Sequence, residues 1–277
     1  MASLPRFVVT FSASDPTSGA GLQADLLTLA GMGCHALTVV TATTAQDTHG
    51  VSGLKALDAA WVETQARAVL EEFRPSAFKL GVLGSPENAA AVAGLLARHP
   101  SVPVVLDPVL ASGRGDPLGA EGMLDALREH VLPLATVATP NLPEARALAG
   151  GRDLAIDDCA RRILELGCRH VLVTGTHADT DDVANVLYGP EARIREDRWP
   201  RLPGSYHGSG CTLASAIAGC IAGGANIEDA VRDAQDYTWN TLKNGFRAGM
   251  GQFIPDRFYW ARDDNETGDA KQADAQD

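Results

Sequence analysis

A mostly parallel β-sheet covered by helices on both faces is the α/β fold class this sequence predicts, and three observations predict it. Short apolar runs rich in β-branched residues recur along the chain, as in Phe7-Val8-Val9-Thr10-Phe11-Ser12, the mark of strands buried on both faces. Longer stretches with apolar residues at helical spacing lie between them, as in Trp61, Val62, Ala66, Val69, Leu70 and Phe73. Residues of unusual chemistry stand where apolar runs stop: Asp15, Gln46, Asp107, Asn141 and Gly175. Strands alternating with helices build a parallel sheet, and such sheets bind ligands at the carboxyl ends of their strands.

Taken in order, residues 7–12 read as a buried strand, 14–21 as a Gly/Ser/Pro turn, and 21–32 as a helix. The run 35–43 is a second strand, and 59–73 carries the amphipathic helix. A short strand over 78–83 precedes an Ala-rich helix over 86–98. The strand 102–106 ends at Asp107-Pro108, and a glycine-rich loop leads to a helix near 120–130. The strand 136–139 ends in Pro140-Asn141, before a helix over 142–149. Helix 156–167 and strand 170–174 follow, then strands near 183–188 and 192–198. Gly208-Ser209-Gly210 opens a small-residue helix over 211–222, and a last helix covers 227–245. With no Pro/Ser-rich linker and no fixed-period repeat, residues 1–262 read as a single domain. The tail 263–277 has six acids against Lys271 and no large apolar residue, so it reads as a solvated, disordered end.

Composition narrows the function. The chain has 277 residues, 45% hydrophobic and 21% charged, enough apolar content for one large core. Its net charge of -12 argues against nucleic acid and anionic membrane, which need a basic face to replace counterions. At first sight it also argues against a phosphate-rich ligand. No apolar run reaches the roughly 18 residues of a spanning helix, and the N-terminus lacks a basic-then-apolar signal segment. Five cysteines without C-x-x-C spacing suit a reducing cytosol better than a disulfide or zinc framework. The histidines show no metal-binding spacing; His49, His177 and His207 lie in loops near the motifs, and the others at element ends.

Three constellations carry chemistry. The first is Ser14-Asp15-Pro16-Thr17-Ser18-Gly19-Ala20-Gly21, followed by Leu22-Gln23-Ala24-Asp25. A glycine turn after a strand lets backbone approach a ligand at a helix start, although many such turns are only tight connections. The second is His207-Gly208-Ser209-Gly210-Cys211-Thr212. Free amides and the helix dipole there suit an anion, such as a transferring phosphoryl group. Cys211 in that turn should have a lowered thiol pKa and could serve as a base on an alcohol; for an isolated cysteine, burial in a packing helix is the commoner explanation. The third is Thr139-Pro140-Asn141-Leu142-Pro143-Glu144. Capping accounts for Asn141 and Glu144 completely, while a functional reading places them near a magnesium ion through its waters, with Asp107 as a second candidate.

Together these segments resemble the ribokinase-like superfamily and, more closely, the hydroxymethylpyrimidine/phosphomethylpyrimidine kinases of thiamine biosynthesis. The resemblance is carried by Ser14-Asp15-Pro16 with Gly19-Ala20-Gly21-x-Gln23-Ala24-Asp25, Thr44-Ala45-Gln46-Asp47-Thr48-x-Gly50-Val51, Lys79-Leu80-Gly81, Asp107-Pro108-Val109, Thr139-Pro140-Asn141-x-x-Glu144-Ala145, and His207-Gly208-Ser209-Gly210-Cys211-Thr212. Six weak segments in the family's order make a strong signal, and the cysteine is the sharpest, because most of the superfamily has Asp there. The resemblance implies a three-layer α/β/α ribokinase-like fold. It also implies a homodimer and ATP- and Mg2+-dependent phosphorylation of 4-amino-5-hydroxymethyl-2-methylpyrimidine, then of its monophosphate. Gln46 would bond the pyrimidine edge, with Ala13, Val82, Val109 and Asp25 also on the substrate side. Gly208, Ser209 and Gly210 would form the anion hole, with Cys211 as base. Asp107 and Glu144 would serve magnesium, and Thr174, Gly175, Asn141 and Arg114 the nucleotide.

The chain departs from the family where Ala13 replaces Gly, Val82 replaces Met, and Thr174 and Gly113 replace lysines. Arg114 could stand in for one lysine with a different geometry. The changes weigh most on the second phosphorylation, whose substrate already carries phosphate. A pyridoxal or pyridoxine kinase, which Thr174 fits slightly better, and a non-catalytic pyrimidine sensor are the competing readings. The resemblance also reframes the charge. Five of the twelve net negative charges lie in the tail, leaving -7 on 1–262. A site built from amides, a helix dipole and magnesium holds phosphate without appearing in any Lys-plus-Arg count.

Overall fold

The computed structural model describes residues 4–111, 118, 120–175 and 180–262. Strand and helix alternate through most of them. β1 (Arg6–Ser14) leads into α1 (Gly21–Gly31), β2 (Cys34–Gln46), β3 (Val51–Ala56) and α2 (Ala59–Glu72). β4 (Ala77–Leu80), α3 (Pro86–Leu96), β5 (Val104–Leu106) and α4 (Met123–Ala126) follow. Then come β6 (Val137–Ala138), α5 (Leu142–Ala149), α6 (Ile156–Glu165) and β7 (Val171–Val173). β8 (Asp182–Tyr188), β9 (Arg193–Pro200), α7 (Ser209–Ala222) and α8 (Ile227–Lys243) complete the order.

The strands make one sheet in the order β3-β2-β1-β4-β5-β6-β7-β8-β9. From β2 to β7 every pairing is parallel. β3 at one edge and β8 and β9 at the other are antiparallel. Alternate residues of a strand face opposite sides. Val8, Val105 and Leu172 therefore pack with Leu29, Ile217 and Val231 of α1, α7 and α8. Val9, Val104, Leu106 and Val173 pack with Val62, Val92, Leu148 and Ile163 of α2, α3, α5 and α6. Each fully buried aliphatic chain of this kind contributes about 1.5–3 kcal/mol. The result is three layers, helices over both faces of the sheet.

The chain steps from β1 to β2, then returns to add β4 on the other side of β1. Such a reversal opens a crevice at the carboxyl ends of the strands, and Ser14-Asp15 leaves β1 there.

Two elements differ from expectation. β3 has no apolar alternation to announce it: Ser52, Gly53 and Lys55 are exposed on its two faces, and hairpin pairing to β2 makes it a strand. The helix near 120–130 is α4 alone, continued by a π turn over Leu127–Val131 and a 3-10 turn over Leu132–Leu134, where Pro133 has no amide to extend an α-helix. The readings of Gly113, Arg114 and His177, and of the tail 263–277, lie outside the described residues.

Candidate active site

The site is built around the first turn of α7. Its N-cap, Gly208, has φ 83° and supplies no side-chain cap. A helix start leaves its first amides without intrahelical partners and carries the positive end of the dipole. Gly208 is required for a second reason. A Cβ there would lie 2.0 Å from Gly19 O, and one on Gly19 would lie 2.2 Å from the His207 ring. The turn 207–210 and the loop 15–21 thus touch through glycines.

Asp15 ties the same two segments together. Its carboxylate accepts the Thr17 amide at 2.8 Å and the Ala20 amide at 2.7 Å, and faces His207 Nε2 at 2.8 Å. Burial alone would raise its pKa. The hydrogen bonds from His207, Ala20 and Thr17 outweigh burial and hold it below the usual carboxylate value.

A cavity of 490 Å³ opens over this turn. Ala13, Gln46, Val82, Asp107 and Val109 line one part of it, from the ends of β1, β2, β4 and β5. Asn141, Glu144 and Thr174 line it from the ends of β6 and β7, and Gly208, Ser209, Gly210 and Cys211 form its floor. Gln46 donates from Nε2 to Thr44 Oγ1 at 2.7 Å, so its carbonyl oxygen remains to accept from a ligand. Two expected residues do not line this wall. Asp25 is fully buried: its Oδ1 lies 2.7 Å from Lys79 Nζ, and it accepts the hydroxyls of Thr10 at 2.5 Å and Ser215 at 2.7 Å. It shares a motif with the loop but sits on the inner face of α1. Gly175 donates its amide to Asn185 Oδ1 at 3.0 Å, and a Cβ there would meet Ala184 O at 2.2 Å, so it serves close backbone approach.

Charge in the cavity floor is acidic and buried. Burial pushes the Asp107 carboxyl up to about 6, with Lys79 opposing, Asp25 adding to the rise and a Cys211 hydrogen bond opposing it. Burial and the facing Asp107 push Glu144 up to about 8. Lys79 is held above the ordinary lysine value: burial works against its charge, but Asp25, Cys211 and Asp107 outweigh it.

Cys211 corrects the expectation of an acidic thiol. It reaches the cavity and is half-buried. Burial pushes it up to about 12, Lys79 opposing and Asp107 and Asp25 adding. The helix start does not compensate for two nearby carboxylates.

Asn141 and Glu144 form the expected capping box of α5: Asn141 Oδ1 accepts the Glu144 amide at 3.0 Å, and Glu144 Oε2 accepts the Asn141 amide at 2.9 Å. Among the described residues Asp107 Oδ2 is buried with no hydrogen-bond partner. Such an orphaned oxygen, beside a second carboxyl whose pKa is raised by it, fits a hard cation that keeps water ligands. Among the described residues no group of three or more His, Cys, Asp or Glu could hold a metal by protein ligands alone.

Sequence reasoning missed the far half of the cavity. Val183, Asn185, Trp199, Gln235, Trp239 and Leu242 line it. Gln235 Oε1 accepts Asn185 Nδ2 at 2.8 Å and Trp199 Nε1 at 3.2 Å, and the rings of Trp199 and Trp239 are 6.1 Å apart. Trp199-Pro200 at a strand end was the available signal. Lys79 and the buried Arg257 were also assigned no role.

Comparison with known proteins adds the following. The family described as phosphomethylpyrimidine kinase matches residues 15–256. A hydroxymethylpyrimidine/phosphomethylpyrimidine kinase of Streptomyces coelicolor is 41% identical over 89% of this chain and 92% of its own. A thiamine biosynthesis bifunctional protein of Geobacter sulfurreducens is 37% identical over 90% of this chain and 52% of its own. Among solved structures, pyridoxal kinase from Staphylococcus aureus with AMP-PCP and pyridoxal superposes with a TM-score of 0.84 at 29% identity, over 94% of this chain and 96% of that one. Phosphomethylpyrimidine kinase from Clostridium difficile does so with 0.72 at 34% identity, over 84% and 97%. Among the described residues no helix is long and apolar enough to cross a membrane.

Proposed function

Because this chain belongs to the phosphomethylpyrimidine kinase family, we propose that it transfers the γ-phosphoryl group of ATP to 4-amino-5-hydroxymethyl-2-methylpyrimidine, and then phosphorylates the monophosphate, in thiamine biosynthesis. One observation carries the reading. Gln46, Cys211, the uncapped start of α7 and the orphaned Asp107 oxygen all face one cavity.

The ring is proposed to lie against Ala13, Val82 and Val109. Gln46 then accepts from the 4-amino group with its carbonyl oxygen, the atom its bond to Thr44 leaves available. This directs the 5-hydroxymethyl group to the floor at Cys211. The amides of Ser209, Gly210 and Cys211 meet the charge that spreads over the phosphoryl oxygens in a loose transition state. Cys211 must lose its own proton before it can take one from the alcohol. Burial opposes that loss most, Asp107 and Asp25 add to the opposition and Lys79 favours it, so neutralising Asp107 would remove one of the groups that keep the proton on the thiol. Asp107 and Glu144, with Asn141, are proposed to hold magnesium through its waters, and the ion would supply charge neutralisation for the phosphates. Thr174 and the Trp199–Trp239 wall are proposed to meet the nucleotide. Gly175 supports that wall from behind, and Asp25 acts from beneath it, pairing with Lys79 and adding its charge to the field at Asp107 and Cys211.

The proposal includes a cytoplasmic, homodimeric protein of one domain over 1–262; the five free cysteines suit a reducing compartment. A second reading, phosphorylation of pyridoxal, draws on the Staphylococcus aureus superposition. Pyridoxal has no 4-amino donor for Gln46, which favours the pyrimidine. Product masses after incubation with the pyrimidine, ATP and Mg2+ test both steps. Mono- and diphosphate are expected; monophosphate alone would remove the second step, and no phosphorylated product would remove the proposal.

A further inference from the structure

Arg257 is 2% exposed, and among the described residues no carboxylate lies within ion-pair distance of its guanidinium. It donates to Gly19 O at 2.5 Å, to Ser18 O at 3.4 Å and to Thr212 Oγ1 at 3.1 Å. A guanidinium withdrawn from water without a carboxylate loses hydration that carbonyl oxygens restore only in part. Asp25 and Asp15 act on it only from beyond ion-pair distance, so no direct contact neutralises its charge.

The groups it holds are those that shape the floor of the cavity. Thr212 is the residue after Cys211, and its hydroxyl passes the contact on to Gly208 O at 2.8 Å. The Gly19–Ala20 peptide is gripped at both ends, its carbonyl by Arg257 and its amide by Asp15 at 2.7 Å. Gly19 O is the atom a Cβ on Gly208 would strike. Ser18, whose carbonyl Arg257 also binds, is the one non-glycine residue with positive φ among those described, at 61°; such strain persists where surrounding contacts impose it. Anchoring the C-terminal segment does not require this side chain. Its backbone is already held by Asp256 N–H to Thr241 O at 2.9 Å and by Tyr237 Oη to Arg257 O at 3.0 Å.

We propose that Arg257 is a positioning residue for phosphoryl transfer: it holds the Ser18–Gly19 carbonyls against the first turn of α7 and sets a fixed positive charge behind the amides of Ser209, Gly210 and Cys211. The inference rests on the phosphoryl-transfer reading of the site but not on which ring accepts the group. A charge fixed behind preorganised amides acts most on charge that develops in the transition state.

The test is steady-state kinetics of Arg257→Met and Arg257→Lys in the full chain. Arg257→Met should lower kcat by about 10- to 100-fold with the pyrimidine KM within about threefold. Arg257→Lys keeps the charge without the planar fork and should recover part of kcat. A kcat for Arg257→Met within twofold of wild type would overturn the inference, as would Met and Lys variants equally impaired through KM alone. If Arg257→Met does not fold, Arg257→Lys decides: reduced kcat at constant KM supports the inference, and unchanged kcat overturns it. Wild-type turnover checks the ring separately. If only pyridoxal is phosphorylated, that reading fails and the same ratios are taken with pyridoxal. If neither ring is phosphorylated, affinities for ADP with and without aluminium fluoride are compared. A loss confined to the fluoride complex supports the inference, and equal affinities overturn it.

Discussion

At the scale of single residues, each side chain of the site takes its surroundings from several elements of the fold. Gln46 and Cys211 both face the cavity expected of them. The thiol's environment was not readable, because Lys79, Asp107 and Asp25 reach it from three other elements. Asp25 was placed with the substrate for a related reason: it follows the glycine turn in sequence, yet helix rotation turns it to Lys79. Arg257 lies 45 positions beyond Thr212, which it touches, and no local pattern announces it. Two substitutions follow at this scale. Cys211→Ala should lower kcat by about 10²- to 10⁴-fold, the usual range for loss of a general base, while calorimetry shows pyrimidine affinity nearly unchanged. Unimpaired turnover would remove Cys211 from the base role. Gln46→Leu should cut kcat/KM for the aminopyrimidine by about 10-fold or more, since the amino group then has no acceptor. A smaller loss with pyridoxal, measured alongside, would locate the effect at the amino group.

At the scale of elements, the strand and helix order was legible from periodicity, and boundaries differed mostly at strand ends. β3 escaped because an exposed edge strand needs no apolar alternation, and the helix near 120–130 is α only over Met123–Ala126 because its hydrogen bonding shifts to a π turn and then a 3-10 turn, a change of backbone pairing that leaves no mark in apolar spacing. The contact between the loop 15–21 and α7 was not legible at all, since it is made by glycines whose value lies in what they lack. A matched pair of substitutions tests it. Gly208→Ala places a Cβ on backbone at φ 83° and should lower unfolding stability by about 1–3 kcal/mol, with a matching fall in kcat. Gly33→Ala meets nothing within 4 Å at φ 72° and should lose only about 1 kcal/mol of stability, to backbone strain, with kcat intact. Urea denaturation and initial rates on both proteins separate strain from the loop contact.

At the scale of the whole molecule, net charge does not report on the proposed ligand, because amides and a helix dipole are absent from any count of charged side chains. The acidic pair at the floor has a molecular consequence. Asp107 at about 6 and Glu144 at about 8 are raised above ordinary carboxylate values by burial and by charges nearby. Between the unfolded value, roughly 4, and these folded values the native state binds more protons than the unfolded one. Stability of the metal-free protein should therefore fall as pH rises from 5 to 8. Magnesium should bind more tightly at pH 8 than at pH 6, since it must displace those protons. Glu144→Gln should flatten both trends in thermal melts and magnesium titrations; unchanged slopes would detach Glu144 from them. The central claim is that this cavity is shaped for an aminopyrimidine alcohol. It is tested most directly by kcat/KM for 4-amino-5-hydroxymethyl-2-methylpyrimidine and for pyridoxal, measured side by side with ATP and Mg2+. The account predicts the larger value for the pyrimidine, and a larger value for pyridoxal would contradict it.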